Sequence, residues 1–600
     1  MKSLTELWLR VSEELGALCY VSTARDYKTV TSRVEHEGLS FLTISLTDFG
    51  RDFEKSLAQS YVGHDLFAGF QRKGGFPRFL GGFLGLVFDR DTGRLLDEPS
   101  VDSIYAIRQL TLMFGKIALP CSEARERRAI SKFVECEQDI RRSDRNMSAA
   151  LLERFANMSL RLFGDVLASV DRDVYNGTLT PKHGPGATAD RLRGNAKFDQ
   201  VEWTRRLERV FPYGDNAMPN WRFNYLLDAV EILEPGAERP VRVITVPKSL
   251  KTPRIIAIEP TCMQYMQQAL MERLVELLER DKTLSGMIGF TDQTPNQSLA
   301  CQSSADGSLA TLDLSEASDR VSNQHVRLLF RHFPHLGEAV DATRSRKADV
   351  PGFGVLRLAK FASMGSALCF PVEAMVFLTI IFLALEDEHN RRFTSCEIRS
   401  HAGRVRVYGD DLIIPVHSMP IVTDYLEAFG LKVNLGKSFG TGKFRESCGK
   451  EYYDGVDISI VRVRQVLPSS RSDSDKVIAS VSFRNRLYEA GLWKSAFWCD
   501  SWIGPLLGGR YPYVSPDSPV LGRVSFLGYD TQRLDPNTHV PQVKGYVVSS
   551  KPRPSVVSGE GALLKWFLKR GDEPFADRDH LSRSGRPDAV STKLRWARSV

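Results

Sequence analysis

The chain has 600 residues, 42% hydrophobic and 26% charged, the balance of a globular protein large enough to bury several cores, and this excludes disordered and fibrous classes. Nine scattered cysteines contain no CxxC pair and no nearby histidine at zinc-ligand spacing, so a zinc site and a disulfide framework are excluded and reduced thiols are expected. The formal charge is a modest +7.

The opening "MKSLTELWLRVSEELG" has the period of an amphipathic helix and carries acids that a signal peptide would lack. A second helical pattern starts at Ser148. The following "PKHGPGATADRLRG" sets three glycines among Lys182, His183, Arg191 and Arg193. Such a loop is either a plain turn or a place where backbone approaches a phosphate. From Val241, "VRVITVPKSLKTPRIIAI" predicts two strands around a basic connection with Lys248, Lys251 and Arg254.

Near Leu309 a short apolar strand ends at Asp313, and a helical pattern follows. "ASMGSA" precedes an apolar helix from about Glu373, whose run Ala374–Leu385 is too short to span a bilayer and predicts a buried helix. "VRVYGDDLIIP" from Val405 reads as a hairpin, and "MPIVTDYLEAFG" as a helix. Strand-rich sequence continues to about Val466. Beyond Pro468 the chain is irregular, with helical pieces near "VIASVSFRNRLYEAGLW" and "ALLKWFLKR". From Lys551 to Val600 eleven Lys or Arg face six Asp or Glu, which suits contact with a polyanion or a solvated tail.

The hairpin raises a chemical question. A Gly-Asp turn accounts for Gly409 and Asp410, because both tolerate positive backbone angles. It leaves Asp411 unexplained, since a second adjacent negative charge is unfavourable without a cation. Asp313 could cap the next helix, but Ser315 would serve equally well. If the two strands are neighbours, three carboxylates converge. Hard oxygen donors without His or Cys select Mg²⁺ or Mn²⁺, and two such ions support phosphoryl transfer, the chemistry of polymerases and nucleases.

Taken in order, "VPKSLKTPRIIAIEP", "LDLSEASD", "ASMGSA", "YGDD", "GLKVNLGKSF" and "FRESCGKEYYDGVDIS" resemble motifs F, A, B, C, D and E of RNA-dependent RNA polymerases. "FRESCGKEYYDGVDI" and "PRIIAIEP" are similar to the replicases of leviviruses, the positive-strand RNA bacteriophages.

The resemblance implies an α+β right-hand fold of fingers, palm and thumb with an antiparallel palm sheet. Its expected divisions are 1–240 (N-terminal region and fingers), 241–300 (fingers with motif F), 301–466 (palm) and 467–600 (thumb and basic terminus). By the same resemblance Asp313, Asp410 and Asp411 hold two Mg²⁺ ions, with Mn²⁺ as a substitute, and Lys437, with Lys432 as competitor, protonates pyrophosphate. Lys248, Lys251, Arg254, Asp319, Ser363, Gly365 and Ser366 would bind the NTP, Asp319 sensing the ribose 2′-hydroxyl. Ser366 and Ala367 stand where the family commonly has Asn-Gly. Arg445, Lys450 and Arg462 would contact RNA, and Cys448 reads as a packing residue.

The implied activity is RNA-templated RNA synthesis that needs no primer, in the cytoplasm of an infected bacterium and without a membrane. Its partners would be RNA, NTPs, host translation elongation factors Tu and Ts, and a ribosomal small-subunit protein. A reverse transcriptase is disfavoured by Gly409 and Asp319, and an inactive RNA-binding protein by the presence of all three carboxylates.

Overall fold

The computed structural model describes residues 2–551, 555–569 and 589–600, so residues 552–554 and 570–588 of the basic terminus lie outside the described residues. The first third is helical: α1 (Lys2–Leu18), α2 (Leu46–Gln59), α3 (Val101–Leu112), α4 (Glu123–Asn146) and α5 (Ala149–Tyr175). The Ser148 side chain accepts a hydrogen bond from the Leu151 amide, so α5 begins where a capping hydroxyl satisfies an orphan donor.

The middle of the chain interleaves strands with helices. It contains β1 (Val241–Val246), β2 (Arg254–Ile258), α6 (Thr261–Arg280), β3 (Leu309–Asp313), β4 (Lys347–Val350), β5 (Gly354–Arg357) and α7 (Cys369–Glu388). Next come β6 (Arg406–Tyr408), β7 (Asp411–Pro415), α8 (Met419–Ala428), β8 (Phe444–Ser447) and β9 (Lys450–Tyr453). Toward the end stand α9 (Ser474–Glu489), α10 (Trp493–Leu506), β10 (Pro541–Lys551), α11 (Glu560–Leu568) and β11 (Ala589–Arg598).

The central sheet is antiparallel, in the order β6-β7-β3. Its outer edge is extended by backbone bridges from β3 to the segment 433–439, at Thr311 with Phe439 and Leu314 with Val433. A second sheet, in the order β2-β1-β4-β5, carries the basic connection between β1 and β2. Among the described helices α7 alone is long and apolar enough to cross a membrane, and it is almost wholly buried against the central sheet, α5 and α8. A helix apolar on every side is expected to be enclosed on every side.

Two large cores divide the molecule differently from the expected boundary at 240. Phe155, Trp203, Tyr265, Leu312 and Phe377 belong to one core, which also takes Leu564 of α11. Residues between Leu4 and Ile117 form the other together with Phe444, Val477, Cys499 and Tyr546. The first 119 residues therefore pack with the last third of the chain, not with 120–240. Only tertiary packing joins them, so local pattern could not reveal it.

The seam between these parts holds a buried charge. Arg108 of α3 is fully buried and pairs with Glu54 of α2 at 2.9 Å and Glu451 of β9 at 2.8 Å, while donating to the Ile458 carbonyl. Removing Arg108 leaves Glu54 buried and unpaired and Glu451 with Arg462 alone, which costs about 3–5 kcal/mol. Arg108→Met is expected to lower unfolding stability by that order in a denaturant titration; an unchanged midpoint would show that the pair does not tie α3 to β9.

Candidate active site

Asp313 and Asp411 are direct partners in the β3–β7 ladder, followed by Leu312 with Leu412 and Thr311 with Ile413. Side chains alternate along a strand, so this register puts both carboxylates on one face at one end of the sheet. Asp410 occupies the two-residue turn between β6 and β7. Gly409 takes φ +60°, and Asp410 has no positive φ, so the turn has the II′ pattern and needs its glycine only at the first position. A Cβ at Gly409 would also lie 2.2 Å from the Phe370 ring, so both backbone and packing demand glycine.

The capping explanation for Asp313 does not survive. The short helix Ala317–Arg320 has no side-chain cap, and the Ser315 amide donates to the Lys432 carbonyl. Asp313 instead receives Asn434 Nδ2 at 2.8 Å and lies 3.5 Å from Lys437 Nζ. Lys432, the competing lysine, turns to Asp139. The segment 433–439 reaches β3 because the Asn434 amide donates to the Asp313 carbonyl.

Burial and neighbouring negative charge raise the proton affinity of Asp410 and Asp411. Desolvation in the cleft and then Asp313 push Asp410 up, while desolvation and then Asp410 push Asp411 to about 6. The Cys448 backbone and thiol hydrogen-bond Asp411 and hold it down, so Cys448 is more than the packing residue expected. Lys437 is raised: desolvation opposes its charge, but Glu446 and Asp313 outweigh it. Lys248 is lowered by desolvation and by Arg254 and Lys437, with Asp313 and Asp410 acting against this. Anions and cations thus face each other across one cleft.

Among the described residues no three His, Cys, Asp or Glu side chains are gathered as a ready ligand set. The donors fit a hard divalent cation by type and charge: carboxylate oxygens at one end of the sheet, facing the positive charges of Lys437 and Lys248.

Around Asp319 the structure adds residues that sequence reasoning missed. Its Oδ1 accepts from Ser363 Oγ at 2.8 Å and Lys360 Nζ at 3.0 Å. Lys360 is fully buried, 3.4 Å from Glu137 of α4 and 3.6 Å from the centre of the Phe133 ring. Gly365 has φ +136°, and a Cβ there would lie 2.0 Å from the Ala257 carbonyl, so "SMGS" lies directly on β2. The Ser366 hydroxyl and the Ala367 amide both donate to Gln267 on α6.

The basic residues divide. Lys248 faces the carboxylates, and Arg254 is exposed where β2 begins; Lys251 pairs with Asp48 at 2.8 Å. Arg445 is buried, donating to the carbonyls of Leu309, Gly442 and Phe444, so it cannot serve as an RNA contact. Arg462 is likewise committed, to Glu451 and the Leu112 carbonyl. Lys450 is half-buried on its hairpin and paired with Asp457. The glycine loop forms part of a cavity of about 680 Å³ walled by Arg191, Arg193, Arg242, Ile244, Ile256 and Gly365. Lys182 pairs with Glu272, and His183 is stacked on Tyr265.

Glu373 on α7 had no sequence signal beyond its place in an apolar run. Burial, then the charge of Asp410, pushes its carboxyl to about 8. The folded protein then keeps a proton that the unfolded chain releases above its ordinary 4.5, so this group makes stability fall as pH rises from 4.5 toward 8. Glu373→Gln should remove that component, and melting temperatures of variant and parent should diverge in the variant's favour toward alkaline pH. Parallel curves would contradict a neutral Glu373.

The sequence model of the RNA replicase β-chain family matches residues 237–476, two-fifths of the chain. The RNA-directed RNA polymerase β chain of Enterobacteria phage fr is 39% identical over 217 residues, 36% of this chain and 36% of that protein. The β chain of Escherichia phage MS2 is 36% identical over 41% of this chain and 40% of its own length, and the β subunit of Escherichia virus Qbeta 35% identical over 38% and 36%. The chain thus aligns with well under half the length of these relatives. Among solved structures, the RNA-dependent RNA polymerase of a human picorbirnavirus overlaps with a TM-score of 0.34 at 12% identity, covering 45% of this chain and 57% of that one. The stretch that carries Asp313, Asp410, Asp411 and Lys437, residues 237–476, is therefore similar to the RNA replicase β-chain family, and the resemblance read from the motifs holds there.

Proposed function

We propose that the chain is an RNA-templated RNA polymerase that replicates a single-stranded RNA phage genome. The observation that carries this reading is the pairing of Asp313 with Asp411 beside the Gly409–Asp410 turn, within the segment similar to the replicases. In the reaction a 3′-hydroxyl, or in primer-free initiation that of the first nucleotide, attacks the α-phosphate of an NTP. A new P–O bond forms, the bond to the β-phosphate bridging oxygen breaks, and pyrophosphate leaves.

Asp313, Asp410 and Asp411 would hold two Mg²⁺ ions. Bound there, Mg²⁺ acidifies the attacking hydroxyl and stabilises charge on the leaving oxygen. Lys437, kept protonated by Glu446 and Asp313, would give a proton to pyrophosphate. Lys248 and Arg254 would hold the triphosphate, one as a mobile charge and the other as a two-pronged donor. Asp319, oriented by Lys360 and Ser363, would accept the ribose 2′-hydroxyl and so favour rNTPs.

On this reading the antiparallel sheet β6-β7-β3 is the palm, β1 and β2 belong to the fingers, and α9 and α10 lie in the thumb. The 680 Å³ cavity, with guanidiniums on its rim and isoleucines on its wall, suits a template strand passing between the glycine loop and Gly365. Association with elongation factors Tu and Ts and a ribosomal protein, in the bacterial cytoplasm, rests on the replicase resemblance.

Asp410→Asn tests the reading. Primer-free incorporation of rNTPs on an RNA template with Mg²⁺ should fall at least about a thousandfold, the equivalent of about 4 kcal/mol of lost transition-state stabilisation, while RNA binding persists. Near-parental incorporation by the variant would remove the metal assignment, and a preference for dNTPs in the parent would favour a reverse transcriptase.

A further inference from the structure

A second basic cavity lies outside the site described above. About 430 Å³ in volume, it is walled by six arginines: Arg141 and Arg145 at the end of α4, Arg327, Arg344, Arg346, and Arg357 at the end of β5. Against six guanidiniums stand two carboxylates, Asp144 in the wall and Asp341, which pairs with Arg346 and at 3.7 Å with Arg327. Like charges gathered around one space are mutually unfavourable unless an anion occupies it.

The cavity has a fixed floor and a free rim. Arg344 is buried and donates to the carbonyls of Leu358, Lys360 and Phe361. Arg141 is held by the Arg357 carbonyl. Arg145 and Arg357 are exposed, and their guanidiniums have no ion pair or hydrogen bond among the described residues. Fixed guanidiniums hold part of the geometry in advance, and free ones remain to receive a ligand.

The wall's chemistry narrows the ligand. It contains no aromatic ring, so no base finds a stacking platform. Its cations are all arginine, the side chain whose planar fork matches phosphate oxygens. More guanidiniums are present than one phosphate can engage, which suits successive phosphates of a strand.

We propose that this cavity is a second RNA-binding site that grips the phosphodiester backbone of single-stranded RNA without reading its bases, away from the carboxylate cleft. The choice of RNA rests on the polymerase reading; the phosphate chemistry stands on the arginines alone.

The test uses the full chain carrying Arg145→Gln with Arg357→Gln, both at exposed positions. Binding of a labelled oligouridine is followed by fluorescence anisotropy over a series of salt concentrations. Each lost phosphate contact should reduce the slope of log affinity against log salt by about 0.7, so the double variant should lose about 1.4. Incorporation at saturating template and NTP should stay at the parental rate. Arg142→Gln is the control, because Arg142 is exposed on the same helix but outside the cavity wall.

An unchanged slope in the double variant overturns the site, as does an equal loss in the Arg142 control, which would mean diffuse charge only. A raised KM for NTP with the slope unchanged assigns the arginines to free nucleotide and also overturns it. If the parent chain fails to bind RNA at all, both this site and the polymerase reading fall. If it binds normally while the double variant keeps its slope, only this site falls.

Discussion

Five residue pairs between β3 and β7 govern the chemistry of the site, because strand side chains alternate and a slip of one residue would send Asp313 or Asp411 into the core. The register is held from both sides. Leu312, Leu412 and Ile414 point into the large core with α7, and the Asn434 and Phe439 amides tie the 433–439 segment to the far edge of β3. The same segment delivers Lys437 and Asn434 to Asp313, so the register that aligns the acids also supplies their cation.

Charge organises the rest. The carboxylates at the sheet's end destabilise each other, and neighbouring groups respond according to their burial: Glu373 beneath them takes up a proton, whereas Lys437 and Lys248 in the cleft bring positive charge. Lys360 shows a related solution at Asp319, with a buried ammonium between two acids and an aromatic face. Such an ammonium, unable to leave, holds the Asp319 carboxylate in one orientation. Arg108 plays the corresponding part at the seam between the N-terminal helices and β9.

What could be read from the sequence was local. Turn chemistry identified the hairpin and the end of an apolar strand identified Asp313, whereas Lys437 came only from the motif resemblance, with Lys432 left open beside it; strands β1 and β2 and helix α5 followed from their residue patterns, and α7 from an unbroken apolar run. Contacts that join distant segments were not legible. Lys360 is one lysine in a loop until α4 brings Glu137 and Phe133 to it, and Glu373 is one acid in an apolar run until it lies beneath Asp410. Arg445 and Arg462 failed as RNA contacts for the same reason: a basic residue in a strand-rich stretch looks available until the carbonyls and Glu451 that engage it are known. The partition at 240 missed the shared core because hydrophobic pattern marks which residues are buried but not against which partners.

The proposed chemistry requires that this strand register create a divalent-cation site. Anomalous diffraction from crystals soaked in Mn²⁺ with an NTP tests it most directly. Anomalous density is expected beside the carboxylates of Asp313 and Asp410, and it should be lost in crystals of Asp313→Asn. Density bound only elsewhere on the chain, or none at saturating Mn²⁺, would contradict it.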